Sequence, residues 1–309
     1  RHGSRRHARP GVFAPLPGPN TSFQVLTDAA SNVILMGNAG SSGYVLKYSG
    51  ADGNLLWGPT PLSLSVQRLA IDPNGNPVIL GYLNGQTGLQ SEVAKVSGTT
   101  GAVLWGPVAF SNPSYPSNFP RGLAINASGD VFAVGDGDAT DFEAFALKYA
   151  GADGTLLWGP VGLPGQFLGA AASADDLVAT GYEGEDMVTI KYGGMDGSVL
   201  WGPAIVPGGS GSGVAIDASG DVLVAGFVQH PATHSDFVTI KYRGTDGTVL
   251  WGPVFFDGEA HGSEGVYIWG LGPAGPRHVA VVGPPKTASE AVVLRVRDGA
   301  RHLVPLTRG

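Results

Sequence analysis

One short string recurs along the chain and limits what the chain can fold into. Leu-Trp-Gly-Pro stands at 56–59, 104–107, 157–160, 200–203 and 250–253, which spaces Trp57, Trp105, Trp158, Trp201 and Trp251 by 43 to 53 residues. Upstream of four of them comes a β-type run with one base: Val45-Leu46-Lys47-Tyr48, Ala146-Leu147-Lys148-Tyr149, Thr189-Ile190-Lys191-Tyr192 and Thr239-Ile240-Lys241-Tyr242. Run and tryptophan are joined through Asp52-Gly53, Asp153-Gly154, Asp196-Gly197 and Asp246-Gly247. Asp-Gly between β-forming residues signals a hairpin, because glycine takes positive φ at little cost.

Each repeat also has a first half. Leu69-Ala70-Ile71-Asp72, a turn, then Pro77-Val78-Ile79-Leu80-Gly81 has counterparts at 123–135 and 214–226. A unit is therefore four short strands in an antiparallel meander, and a unit of this size is a propeller blade. Four strands cannot cover both of their faces alone. Radial stacking of like sheets covers both, which accounts for strands that are apolar throughout. The expected fold is thus all-β: a β-propeller of four-stranded antiparallel blades, six rather than seven. The units fall at 22–60, 67–108, 121–161, 167–204, 212–254 and 265–306, forming one propeller domain over 22–306 with a tail at 307–309. The sixth is worn: His302-Leu303-Val304-Pro305 stands where the others have Leu-Trp-Gly-Pro. Ahead of the first unit, 1–21 reads as a basic arm with a stray strand, Val12-Phe13-Ala14-Pro15, which either closes the ring or belongs to a further blade.

Composition agrees with many tight turns, since 50 Gly and 23 Pro occur among 309 residues. There is no cysteine, which excludes disulfides, thiolate zinc sites and thiol catalysis. No apolar run is long enough for a transmembrane helix. A net charge of −7 argues against nucleic acid as a partner. The exception is the first decapeptide, where Arg1, Arg5, Arg6 and Arg9 face no acid and make a candidate tether. The chain starts at Arg1 rather than Met, so a leader or upstream segment is expected before it.

At two places these residues resemble known repeats. Asp236-Phe237-Val238-Thr239-Ile240-Lys241-Tyr242, with Ile216-Asp217-Ala218-Ser219-Gly220-Asp221-Val222, resembles the bacterial β-propeller repeat of SBBP type. Thr100-Gly101-Ala102-Val103-Leu104-Trp105 is similar to the tryptophan-docking repeat of quinoprotein propellers. The first resemblance implies a secreted, periplasmic or cell-surface bacterial scaffold. The second implies tryptophans packed between neighbouring blades. Neither implies an activity.

Most notable residues have structural readings. The five tryptophans are expected to wedge blade against blade rather than to hold a ligand. Lys47, Lys95, Lys148, Lys191, Lys241 and Arg295 share one strand position, and their heads are expected on turn carboxylates such as Asp72 and Asp217. The aspartates of the Asp-Gly turns are expected to cap their own backbone, since no EF-hand spacing accompanies them.

Function is expected on the unlike loops. Links between strands two and three, and from blade to blade, vary in length and share one face, the usual place for binding on a rigid scaffold. Candidate ligand residues there are Tyr115, Phe119, Asp136, Asp138, Glu183 and Glu185. His230, His234, Asp257 and His261 could converge as a divalent-cation site, although their spacing matches no known motif. No other cofactor is indicated. No nucleophile elbow, His-Glu-x-x-His or phosphate loop is present. The leading expectation is a non-enzymatic scaffold for a protein or polysaccharide. The alternatives are a carbohydrate-active or quinone-dependent enzyme, and an accessory subunit of a cell-envelope assembly.

Overall fold

The computed structural model describes residues 20–256, apart from 86–87, 113–114, 116, 139–141 and 231–233, and the backbone of four later strands. Among the described residues the regular structure is strand. β1 (Asn20–Thr27), β2 (Val33–Ala39), β3 (Ser42–Tyr48) and β4 (Leu55–Leu62) make the first sheet. β5 (Ser65–Ile71), β6 (Pro77–Gly85), β7 (Gly88–Val96) and β8 (Val103–Phe110) make the second. The third contains β9 (Asn118–Ile125), β10 (Val131–Gly137), β11 (Glu143–Tyr149) and β12 (Leu156–Val161). The fourth contains β13 (Gln166–Ala172), β14 (Leu177–Glu183), β15 (Asp186–Tyr192) and β16 (Val199–Val206). The fifth contains β17 (Gly209–Ile216), β18 (Val222–His230), β19 (His234–Tyr242) and β20 (Val249–Phe256). All five are four-stranded antiparallel meanders. Four further strands, β21 (Ile268–Ala274), β22 (Arg277–Val282), β23 (Val292–Arg297) and β24 (Ala300–Pro305), pair in the same order. The stray strand at 12–15 lies outside the described residues.

Two compact units result. One holds the first sheet and most of the second; the other holds the third sheet onward, together with Asn84–Ser91 of the second. Within the second unit the first strands β9, β13, β17 and β21 lie side by side in that order. The meander gives every sheet two unlike ends. The β1–β2 and β3–β4 turns and their counterparts occupy one, called here the turn edge. The β2–β3 hairpin, its counterparts and the links between sheets occupy the other, the loop edge.

Turn chemistry sets the turn edge. Asp72 Oδ1 accepts from Asn74 N at 2.9 Å and Asn76 N at 2.8 Å, and the chain then passes Gly75 at φ 81°. Asp28 and Asp217 cap their turns in the same way. Ser31 takes the place of Gly75 in the first sheet at φ 63°, the one non-glycine in this region among the described residues. Asp52, Asp153, Asp196 and Asp246 each accept a backbone N–H two residues on, at 2.9–3.1 Å.

The lysines span from the third strand to these turns. Lys95 Nζ lies 2.6 Å from Asp72 Oδ2, and Lys241 Nζ lies 2.8 Å from Asp217 and 3.1 Å from Asp221. Lys47 pairs with Asp28 at 2.7 Å. In the third and fourth sheets the turn opens with Asn126 or Ser173, which carry no charge. There the carboxylate comes from the end of the turn: Asp130 holds Lys148 and Asp176 holds Lys191, both at 3.0 Å. Burial opposes ionisation of Asp28, but the Lys47 and Asn32 hydrogen bonds outweigh it and bring its carboxyl down to about 2.

The same lysines reach the next sheet. Gly98 O accepts from Lys47 Nζ at 2.7 Å and from Trp57 Nε1 at 3.0 Å, both of the preceding sheet. Gly194 O accepts from Lys148 at 2.8 Å and Trp158 at 3.0 Å, and Gly244 O from Lys191 and Trp201, each at 3.1 Å. The indoles of Trp57, Trp158 and Trp201 lie over Gly101, Gly197 and Gly247 of the facing turns. A Cβ on Gly101 or Gly247 would come within 2.7 Å of the ring of Trp57 or Trp201. Trp57, Trp158 and Trp201 are therefore 7–8% exposed, while the leucine before each is 50% exposed on the other face of the strand. The Gly-Pro bond after each of the five tryptophans is cis.

One residue departs from the core pattern. The buried slot three places before the lysine holds Tyr44, Phe145, Val188 and Val238, but in β7 it holds Glu92. Glu92 is 6% exposed and its Oε2 has no hydrogen-bond partner among the described residues. Burial raises its pKa. Ionisation is thus penalised in the folded chain. The penalty grows as pH rises from the ordinary glutamate range through the raised value, and is complete above that value. Glu92→Val is expected to stabilise the protein by about 1–3 kcal/mol at pH 7. The gain should shrink on acidification toward pH 4, as wild-type Glu92 becomes neutral. Urea unfolding of both proteins at each pH measures this; a destabilised variant at pH 7 would contradict it.

Candidate functional site

At the loop edge of the third sheet the repeat breaks in another way. The residue after the second-strand glycine is Asn38, Tyr82, Tyr182 and Phe227 in four sheets, and Asp136 in the third. Asp136 is 0% exposed. A buried carboxylate needs a partner, and β9 supplies it. A register shift in the β9–β10 pairing at Val134/Gly135 leaves Arg121 without a paired residue on β10. Its Nε donates to Asp136 Oδ1 at 2.7 Å, and its Nη2 to Oδ2 at 3.3 Å. Burial raises the pKa of Asp136, Arg121 opposes that, and the nearby charge of Asp138 adds to it.

Phe119 lies against this pair, Tyr182 faces it from the fourth sheet, and Tyr115 packs on the neighbouring residue of β10. The Arg121 guanidinium lies over the Phe119 ring, 5.3 Å from its centroid. Tyr115 packs against Gly137, where an added Cβ would fall 2.6 Å from the ring. Burial raises the phenol pKa of Tyr182, from the fourth sheet; the Asp136 charge adds to this and Arg121 opposes it. Phe119, Tyr115 and Tyr182 are all half-buried, and the Arg121 side chain is 37% exposed. Backbone bonds fix the loops: Tyr115 N donates to Asn112 O at 3.0 Å, and Asp138 N to Ser117 O at 2.8 Å. The blade link and the β10–β11 loop are thereby tied together, with Asp138 exposed between them.

Of the residues expected here, Tyr115, Phe119, Asp136 and Asp138 are brought together. Glu183 and Glu185 sit at the β14–β15 hairpin beyond Tyr182, half-buried and exposed respectively. Beside them Asp186 Oδ1 accepts from Gly208 N at 3.0 Å. Arg121 and Tyr182 carried no motif. The signal that would have found them is the comparison of equivalent slots, in which Asp136 is charged where four other sheets are neutral. Asp257 and His261 lie outside the described residues, as do the side chains of His230 and His234, whose backbones pair directly across β18 and β19. Among the described residues no group of three His, Asp or Glu is placed to hold a metal ion.

The geometry favours holding a ligand over proton transfer. Both Asp136 oxygens are engaged by one guanidinium, so this carboxylate fixes Arg121 in place and is poorly placed as a general base. The open edge of Arg121 offers rigidly held donors beside aromatic surfaces.

No family model matches the chain, and no curated protein matches it by sequence. Solved structures do resemble it. One is a structure from an analysis of two prolyl endopeptidases, with TM-score 0.55 and 11% identity over 93% of this chain and 42% of that one. Another is the Dos1 propeller, with TM-score 0.54 and 10% identity over 91% of this chain and 66% of that one. A third is a putative 6-phosphogluconolactonase from Bacteroides uniformis, with TM-score 0.60 and 10% identity over 90% of this chain and 82% of that one. The chain thus spans less than two thirds of the first two. No helix among the described residues is long and apolar enough to cross a membrane. At such identities the likeness carries the fold alone, and the fold is that of a β-propeller built from four-stranded repeats.

Proposed function

We propose that this chain is a non-enzymatic, six-bladed scaffold of SBBP type, outside the cytoplasm of a bacterium, that binds a protein or polysaccharide partner through its loop edge. The observation that carries the reading is the Arg121–Asp136 pair with its aromatic neighbours. It is a built, half-open polar feature that the repeat does not need, since equivalent slots elsewhere hold neutral residues. The turn edge, by contrast, is spent on holding sheets to one another. The enzyme names among the similar folds weigh no more for catalysis than against it, because propellers host many functions.

Photo-crosslinking tests the reading without knowledge of the partner. A benzophenone side chain at Tyr115 or Glu185 of the loop edge is expected to capture a discrete adduct in the native host. The same group at Asp52 or at Met195, which is 94% exposed on the turn edge, is expected to capture none. Adducts from the turn-edge positions alone would overturn the proposal.

A further inference from the structure

We infer that the Arg121–Asp136 platform takes a neutral saccharide, with Arg121 and Asp138 on adjacent hydroxyls and an aromatic ring against the C–H face of the sugar. The inference rests on the loop-edge binding reading above and narrows it to one ligand class.

Three features of the site converge on this chemistry. The first is a matched donor and acceptor. Arg121 is donor-only, and Asp136 holds its Nε and Nη2 edge, so its remaining N–H groups are left for a ligand. Asp138 is acceptor-only and exposed, two residues beyond Asp136, and its backbone N–H is fixed on Ser117 O at 2.8 Å, two residues before Phe119. A vicinal diol carries a donor and an acceptor on neighbouring carbons. It satisfies both groups at once, which a simple cation or anion does not.

The second feature is aromatic surface. Phe119 and Tyr182 stay half-buried beside the pair, and Tyr115 stays half-buried at Gly137 of the same edge. Phe119 stacks under the guanidinium and stiffens it. Rings with an apolar face and a polar rim suit a ligand that is itself apolar on its C–H face and polar at its edge.

The third feature is charge. Besides Arg121, this edge presents Asp138, Glu143, Glu183, Glu185 and Asp186. That acidity repels uronate or sulfated sugars. A cationic peptide would in turn meet the fixed guanidinium at the centre of the platform. A neutral polyol avoids both conflicts.

The test uses the intact chain on immobilised neutral glucan, mannan and galactan, on a polyuronate, and on an oligolysine peptide. Wild type is expected to bind at least one neutral polymer and neither charged probe. Arg121→Met and Tyr115→Ala should each weaken that binding about tenfold, the loss expected when one well-formed contact is removed. Asp138→Asn should weaken it about threefold. Tyr115→Ala and Asp138→Asn leave the buried pair intact, so they decide the matter if Arg121→Met does not fold. Oligolysine binding that depends on Tyr115, with the neutral polymers silent, overturns the saccharide inference and leaves the loop-edge reading standing. Silence toward every probe likewise overturns the inference, and adducts at Tyr115 then still test the broader reading. Saccharide binding indifferent to all three substitutions, with adducts absent at Tyr115 and Glu185, overturns both.

Discussion

Trp201→Ala is expected to destabilise the protein by about 3–5 kcal/mol. The indole fills the space over Gly247, contacts Tyr242 with ring centroids 6.1 Å apart, and is 7% exposed. Gly247 cannot fill the void, because it has no side chain and its turn is fixed at φ 72°. The substitution also removes the donor to Gly244 O, which keeps only Lys191. Trp201→Phe separates the two effects. It retains most of the buried surface and loses the hydrogen bond, so its cost should be nearer 1 kcal/mol. Guanidinium chloride unfolding of both variants measures the difference. A Trp201→Ala loss below 1 kcal/mol would show that the indole covers the turn without holding it.

Lys95→Ala is expected to cost a similar 3–5 kcal/mol, by a different route. Asp72 is wholly buried as a side chain, and Lys95 nearly so at 7%. Removing the ammonium leaves a buried carboxylate that still caps the turn through Asn74 and Asn76. Asp72 is held below the ordinary aspartate range: burial pushes it up, but the Lys95 hydrogen bond and those of Asn76 outweigh this. In wild type the stability from this pair is complete above the ordinary aspartate range and is lost as pH falls through the depressed value. The variant should therefore lose less on acidification than wild type does. Lys95→Met with Asp72→Asn should recover much of the loss, since the amide can keep the turn bond, as Asn126 does in the third sheet, and strands no charge. If Lys95→Ala is neutral at pH 7, the pair is not a fastening.

The turn edge was largely legible in the sequence, and the loop edge was not. Asp-Gly turns, four-stranded units and the Lys95–Asp72 and Lys241–Asp217 pairs follow from spacing and side-chain chemistry. The substitution of Asp130 and Asp176 for a missing leading aspartate did not follow, because the carboxylate moves to the other end of its turn. Nor did the acceptors Gly98, Gly194 and Gly244, since a backbone carbonyl leaves no mark on the residue that bears it. Arg121 was hidden for a third reason. It lies at a register shift, which detaches it from the alternation that sequence patterns rely on. Glu92 shows as an exception only once its slot is aligned with Val188 and Val238. In both cases the informative signal is disagreement among copies, whereas fold prediction uses their agreement.

On the proposed reading, residues shared by the copies build the scaffold, and the Arg121–Asp136 pair of the third sheet meets a partner. Guanidinium chloride unfolding of the double variant Arg121→Met with Asp136→Leu tests it most directly. If the pair exists for binding, apolar side chains in its place should leave the unfolding free energy within about 1 kcal/mol of wild type, or raise it. A loss of about 3 kcal/mol or more, comparable to Trp201→Ala, would make the pair part of the architecture and contradict the account.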